Sequence, residues 1–340
     1  MKRHILLALL AVALVGIAVF AVRQPDEALR EVTIYTSVDQ VYSEPVLRAF
    51  EAETGIRVNA LYDAEAAKTV GLVNRLIAEK AAPLADVFWN GEFSQTLALK
   101  EEGVLAPYAA PPAADLPALF VDPEGFWTAF GGRARVLFVN TEMMAEADWP
   151  RSIFDLPARA RELALANPLF GSTATHAAAL AAALGPEEAL GYFEALKAGG
   201  ARVVDGNAVV RDMVAAGRVP MGLTDTDDAC VSILKGAPVA VVFLDQEAGG
   251  LGTLVVPNTV ALIADAPHPD LGKVLADYLL SPETEAAMIE SGWVQIPSRP
   301  SPVEGECFGR LDVRGMQVGM DAIRAAGGEI GDAMRAMFQD

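Results

Sequence analysis

Over residues 31–102, short strand-like runs, the first of them β-branched, alternate with stretches of helical spacing, and the joins between them are short. Glu31–Thr36 reads as a strand. Pro45 opens a helix that Thr54-Gly55 stops, because proline suits a first turn and glycine the position after a last one. Arg57–Tyr62 is a second strand. Val70, Val73, Leu76 and Ile77 recur at helical spacing within 64–80. A third strand at 85–89 precedes a helix over about 92–102. Parallel strands cannot be joined by a tight turn and need a crossover, usually a helix. The alternation therefore predicts an α/β chain with a parallel sheet covered by helices.

An alanine- and proline-rich loop at 109–117 separates this block from a second one. The second block starts with a strand at 135–139. Helices over 177–184 and 186–197 follow, with strands at 201–204, 219–223, 238–244 and 254–263. Helices over 269–280 and 282–290 come last. With 340 residues, 52% of them hydrophobic, the chain has the length and apolar content for two domains. Two α/β blocks predict two lobes with a cleft between them.

Lys2, Arg3 and His4 precede a charge-free run over 5–22, and a polar tether from Arg23 to Glu27 follows it. This pattern reads as an export signal, with Val19-Phe20-Ala21 near the cleavage point. The run is also long enough to span a bilayer, so an uncleaved anchor is the rival. On either reading the remainder lies on the outer side of a membrane. No cysteine precedes position 230, which excludes a lipid-modified N-terminal cysteine. Cys230 and Cys307 form one disulfide or stay as two thiols. Without a nearby histidine pair they cannot build a tetrahedral zinc site.

Lysine and arginine number 26 against 45 aspartates and glutamates, a net charge of −19. That balance argues against nucleic acid and against anionic lipid heads. No nucleophile elbow, Walker loop, His-Glu-x-x-His or Rossmann fingerprint occurs.

In open parallel sheets, ligands bind beyond the carboxyl ends of the strands. Those ends carry Tyr35 and Thr36, then Asp63 and Glu65, then Asn90 and Glu92, then Asn207, and finally Asp225, Asp227 and Asp228. Helix capping is the plain alternative for each acid. Three acids within four residues exceed the need of one cap. Two unit charges 4 Å apart repel by about 4 kcal/mol at an effective dielectric of 20. Such a group wants a cation, a neighbouring Arg or Lys, or protons. Oxygen-rich, sulfur-free ligation suits a hard cation, and a ligand ammonium would serve equally. Arg133, Arg135 and Lys68 are the basic neighbours, and an arginine there suits an anion. Trp89 and Trp127 read as core, His176 as structural and His268 as part of a turn.

Taken in order, several segments resemble the extracellular solute-binding proteins of ABC importers, of the two-lobed type that includes ferric-iron binders. The segments are 32–37, 50–56, 85–89, 132–136, Asn167-Pro168 with Gly171 and His176, Gly206-Asn207 with Val214 and Gly217, His268-Pro269 and 280–283. The resemblance implies a periplasmic-binding-protein fold: two lobes, each a mostly parallel sheet flanked by helices, joined by hinge strands near 136–141 and 241–246. A leader over 1–30 would precede lobe 1 (31–135 and 247–300) and lobe 2 (136–246 and 301–340). It implies a monomeric periplasmic receptor rather than an enzyme, which captures a small solute and hands it to a permease in the inner membrane. No cofactor is needed. The cargo would be ferric iron or another hard cation, held with a synergistic anion.

Ferric members typically carry two adjacent tyrosines after the Gly-Leu strand; Asp227-Asp228 stand at those positions here. Oxygen ligation is kept and the phenolates are lost. A divalent cation, a small zwitterion such as an aminophosphonate, or a membrane-tethered sensor domain therefore stay open. The expected ligand-binding set is Tyr35, Thr36, Asp63, Glu65, Asn90, Glu92, Arg133, Asn207, Asp225, Asp227 and Asp228, with Asp63, Glu65, Asp227 and Asp228 as the metal ligands.

Overall fold

Residues 30–63, 70–309 and 313–339 are described by a computed structural model; the run at 5–22, Glu65 and Lys68 lie outside them. The first block folds as its periodicity predicts. β1 (Glu31–Thr36) pairs in parallel with β2 (Arg57–Tyr62) on one side and β3 (Val87–Asn90) on the other. The crossovers are α1 (Gln40–Thr54) and α2 (Val70–Ala78). α1 buries Val46, Leu47 and Phe50 in a core shared with Val32, Ile34 and Trp89. Each such side chain contributes about 1.5–3 kcal/mol on burial. Pro45 does not open α1 but sits inside it. Its ring angle is compatible with a helix, and only one hydrogen bond is lost so near the start.

α3 (Ser94–Glu101) and the short β4 (Leu105–Ala106) lead into β5, Thr128–Asn140. β5 begins well before the predicted 135, and its two halves belong to different parts of the sheet. β6 (Leu163–Ala166), α4 (Gly171–Leu184), α5 (Pro186–Ala198), β7 (Arg202–Val204), α6 (Asn207–Ala215), β8 (Met221–Asp225), α7 (Thr226–Leu234) and β9 (Val239–Val242) follow, and β10 (Val255–Ile263) returns. The path across the sheet is β2-β1-β3-β10-β5-β8-β6-β7, with β4 on β10 and β9 on β5. β6 lies parallel to β7 and β8. The strands around the crossing, β10 and β5, pair antiparallel with their neighbours.

This is a two-lobed α/β fold, parallel in its outer strands. The pairing of β5 passes from β10 to β8 between Ala134 and Arg135, beside Leu254 and Val255. Ala134 is the last β5 residue to face β10, and Arg135 the first to face β8. β9 still pairs with β5 at Val242, so the chain must turn through Asp245 before it can cross back.

α8 (Pro269–Leu279) and α9 (Pro282–Glu290) cover the first lobe. α10 (Met320–Phe338) was not foreseen. It packs on α4 and sends Ala326, Ile330 and Met334 into the core around β6 and β8. Trp89 and Trp127 are core residues, and His268 turns into α8 with its backbone N–H on Asp86. Cys230 and Cys307 are joined, which ties α7 to the segment before α10. Among the described residues no helix is long and apolar enough to cross a membrane.

Candidate functional site

The acidic cluster sits where β8 ends and α7 begins, beside the crossing from lobe to lobe. β8 is wholly buried and carries Met221 and Leu223 before its polar end, Thr224 and Asp225. Its Gly222 lets α6 lie directly on it: a Cβ there would fall 2.4 Å from Val210 Cγ1. The strand breaks at Asp225, which becomes the N-cap of α7, and Asp227 and Asp228 fall in the first turn. Negative charge is favoured there by the unpaired N–H groups of the helix start. Thr226 pins the junction. Its hydroxyl accepts from the Ala134 N–H at 3.0 Å and donates to Gln295 Oε1 at 3.1 Å. One carboxylate oxygen from each of Asp225, Asp227 and Asp228 lies within 4.8 Å of the others.

Capping does not account for Asp225, because its side chain makes no cap hydrogen bond. It faces Arg135 across the β5–β8 pair. Arg135 Nη1 lies 3.0 Å from Asp225 Oδ1 and also donates to Asn207 Oδ1 at 2.8 Å and Ser172 Oγ at 3.2 Å. Its Nη2 donates to Thr173 Oγ1 at 2.7 Å. The Ser172 hydroxyl and Asn207 Nδ2 both donate to Asp225 Oδ2. Burial alone would push the Asp225 carboxyl up. Arg135 and then Arg133 outweigh it, with Ser172 helping, and hold it below the ordinary range.

Asp227 and Asp228 are less well served. Arg133 Nε stands 3.7 Å from Asp225 Oδ2 and 3.7 Å from Asp227 Oδ2. Those are charge contacts, too long for hydrogen bonds. Asp227 Oδ1 is buried with no hydrogen-bond partner among the described residues. Burial raises the Asp227 carboxyl and Asp225 adds to the rise, against Arg133. Asp228 Oδ1 is 3.3 Å from Arg211 Nη1. Burial, then Asp227 and Asp225, push the Asp228 carboxyl up to about 7. The cluster thus has one fully satisfied carboxylate and two in need of positive charge.

Across the cleft, Arg133 Nη1 donates to Gly91 O at 2.7 Å, and its guanidinium carbon lies 5.8 Å from the centre of the Trp293 ring. The indole is held by its N–H on Asn258 Oδ1 at 2.8 Å. It fits because position 91 is glycine: a Cβ would meet Trp293 Cζ2 at 3.2 Å. Tyr42 of α1 also packs on the indole, ring centres 5.1 Å apart. Burial, then Asp227 and Asp39, raise the Tyr42 phenol. Sequence reasoning missed Tyr42 and Trp293. Tyr42 follows the Tyr35–Asp39 strand end within one helical turn, which was the available signal.

Of the other expected residues, several use their polar atoms inside the fold. Tyr35 is buried and its hydroxyl donates to Glu79 Oε2 at 2.9 Å. Thr36 Oγ1 accepts from the Val38 N–H. Asn90 is buried and shared among Ser37, Glu92 and Thr96. Glu92 caps the start of α3, accepting from the Ser94 and Gln95 N–H groups. Asn207 orients Asp225. Asp63 ends β2, the edge strand, with its N–H on Thr36 O, and is not in the three-carboxylate group. Asp225 is the third member of that group. Glu65 lies outside the described residues. His176 is buried in α4 beside Arg135, as a structural histidine should be.

Residues 35–286 match the family model of bacterial extracellular solute-binding proteins. The chain belongs to that family. Among curated relatives, this solute-binding protein is 24% identical over 287 residues to iron uptake protein A1 of Synechocystis, covering 78% of this chain and 75% of the relative. Its fold matches a ferric binding protein from Campylobacter jejuni with a TM-score of 0.78 at 21% identity, over 89% of this chain and 99% of that one. A Trichodesmium protein in complex with iron and citrate matches with a TM-score of 0.77 at 21% identity, over 91% and 98%.

Proposed function

We propose that this solute-binding protein is the receptor of an ABC importer, and that its cargo is ferric iron or another hard cation taken up with an anion. The observation that supports this most is the orphaned Asp227 oxygen beside Asp228 and Asp225, all within one coordination span. Asp227 and Asp228 would bind the cation, and Asp225, fixed by Arg135, Ser172 and Asn207, would set their position. Three guanidinium groups, from Arg133, Arg135 and Arg211, already face the three carboxylates. A trivalent ion would add charge that only an accompanying anion removes, which is the part an arginine can hold.

The chain would work by binding, not by catalysis. The leader over 1–30 exports it to the periplasm, where it acts as a monomer. Residues 31–135 with 247–300 form one lobe, and 136–246 with 301–340 the other. Cargo touched from both lobes shifts the population toward closure, and the closed form delivers it to the permease. The relatives that carry iron support the choice of cargo.

The test is a thermal-shift screen on the chelator-stripped chain with ferric citrate, divalent metals, aminophosphonates and organic acids. A ligand of the native state must raise the melting temperature. The expected result is a rise with ferric citrate that citrate alone does not give. A rise with an organic solute and none with any metal would replace the cation by a zwitterion held between the carboxylates and Arg133.

A further inference from the structure

Arg133 occupies an odd position for a residue meant only to hold an anion. Its Nε lies midway between two carboxylates, 3.7 Å from each, without a hydrogen bond to either. Its one hydrogen bond among the described residues is to a backbone carbonyl, Gly91 O. Its guanidinium lies over the Trp293 indole, which Gly91 and Asn258 keep in place. Arg135 differs: it is bonded directly to the side chains of Asp225, Asn207 and Thr173. One arginine of the cleft is therefore structural and the other is held by charge and by an aromatic face.

We propose that Arg133 is a displaceable resident counter-ion, which stands in for the cargo cation between Asp225 and Asp227 and leaves those carboxylates when the cargo arrives. The proposal rests on the cation reading above. It adds a specificity rule. A monovalent ammonium offers the carboxylates no more charge than the guanidinium it must replace, so it gains little. A multivalent cation gains at each carboxylate, and the released guanidinium is then free for the cargo's anion. The ring of Trp293 is the surface from which the guanidinium departs, so its emission reports the exchange.

The experiment uses lanthanum(III) alone, a hard, redox-inert, oxygen-seeking ion, with calorimetry and Trp293 fluorescence on the full mature chain. Arg133→Gln removes the competing charge and keeps a polar side chain. It should bind lanthanum at least tenfold more tightly than wild type, and Arg133→Lys, which keeps the charge, should stay near wild type. Saturating wild type should change the Trp293 emission, identified by its loss in Trp293→Phe, and Arg133→Gln should not show that change. Equal or weaker binding by a folded Arg133→Gln overturns the proposal. If that variant does not fold, an unchanged Trp293 emission in lanthanum-saturated wild type overturns it instead. Wild-type binding that Asp227→Asn with Asp228→Asn abolishes keeps the cation reading even if the arginine results fail. No lanthanum binding by wild type or by Arg133→Gln sinks both.

Discussion

Arg135 Nη1 and Asp225 Oδ1 lie 3.0 Å apart, both buried, at the first pair of residues that β5 shares with β8. The ion pair therefore marks the point where the chain passes from one lobe to the other. It also fixes the first residue of the acidic cluster. Removing one partner of a buried pair leaves an unpaired charge and costs about 3–5 kcal/mol. Asp225→Ala should lower the urea midpoint by the equivalent of that loss. Replacing both, as Arg135→Met with Asp225→Leu, should cost much less than the single change. A double loss equal to the sum of the two single losses would mean that the pair is not coupled.

Asp227 and Asp228 should behave in the opposite way. Burial raises both carboxyls, with Asp225 adding to the rise at Asp227 and Asp227 to that at Asp228. Asp227→Ala with Asp228→Ala should abolish cation binding and leave the unliganded melting temperature at or above the wild-type value. Unchanged affinity in calorimetry would leave helix capping as the cluster's whole role.

His176 supplies a pH dependence. Burial, with Arg135 adding to it, pushes its pKa down to about 3. The unfolded chain takes up the proton near pH 6.5, while the folded one stays neutral. The unfolded state thus binds more protons between those values, and stability from this residue falls as pH falls through that window. The slope is about 1.4 kcal/mol per pH unit. His176→Gln should flatten the acid limb of a stability–pH curve measured by urea unfolding. A curve parallel to wild type would show the ring to be protonated in the fold.

The Cys230–Cys307 disulfide closes a loop of 77 residues. Closing a loop of that size restricts the unfolded chain by about 4 kcal/mol. The bond anchors α7 one turn beyond the cluster. Cys230→Ser with Cys307→Ser should lower the melting temperature, and reductant should do the same to wild type only. A reductant-insensitive melt of wild type would show that the bond does not form.

Much of the first lobe was legible, since β1 is rich in β-branched residues, β2 and β3 are short runs with apolar residues, and α1 ends in a glycine at positive φ. The acidic cluster was legible from three acids within four residues. Tyr42 was hidden because Pro45 looked like a helix start, whereas α1 begins a turn earlier. α10 was hidden by Gly327, Gly328 and Gly331, which lower helix propensity. One of them has a packing reason: a Cβ at Gly327 would lie 3.1 Å from Ala178 Cβ, so glycine lets α10 approach α4 closely. Asp63 looked equivalent to Asp225 because both end strands. Only the strand order separates them, with β2 at the sheet edge and β8 beside the crossing. The disulfide was undecided, because its cysteines meet only through the fold.

The most direct measurement is the iron content of the chain itself. Chelator-stripped wild type and Asp227→Ala with Asp228→Ala are dialysed to equilibrium against ferric citrate, and bound iron is counted by elemental analysis. The account predicts about one iron per wild-type chain and none above background in the double variant. Equal iron in both, or none in wild type, would contradict it.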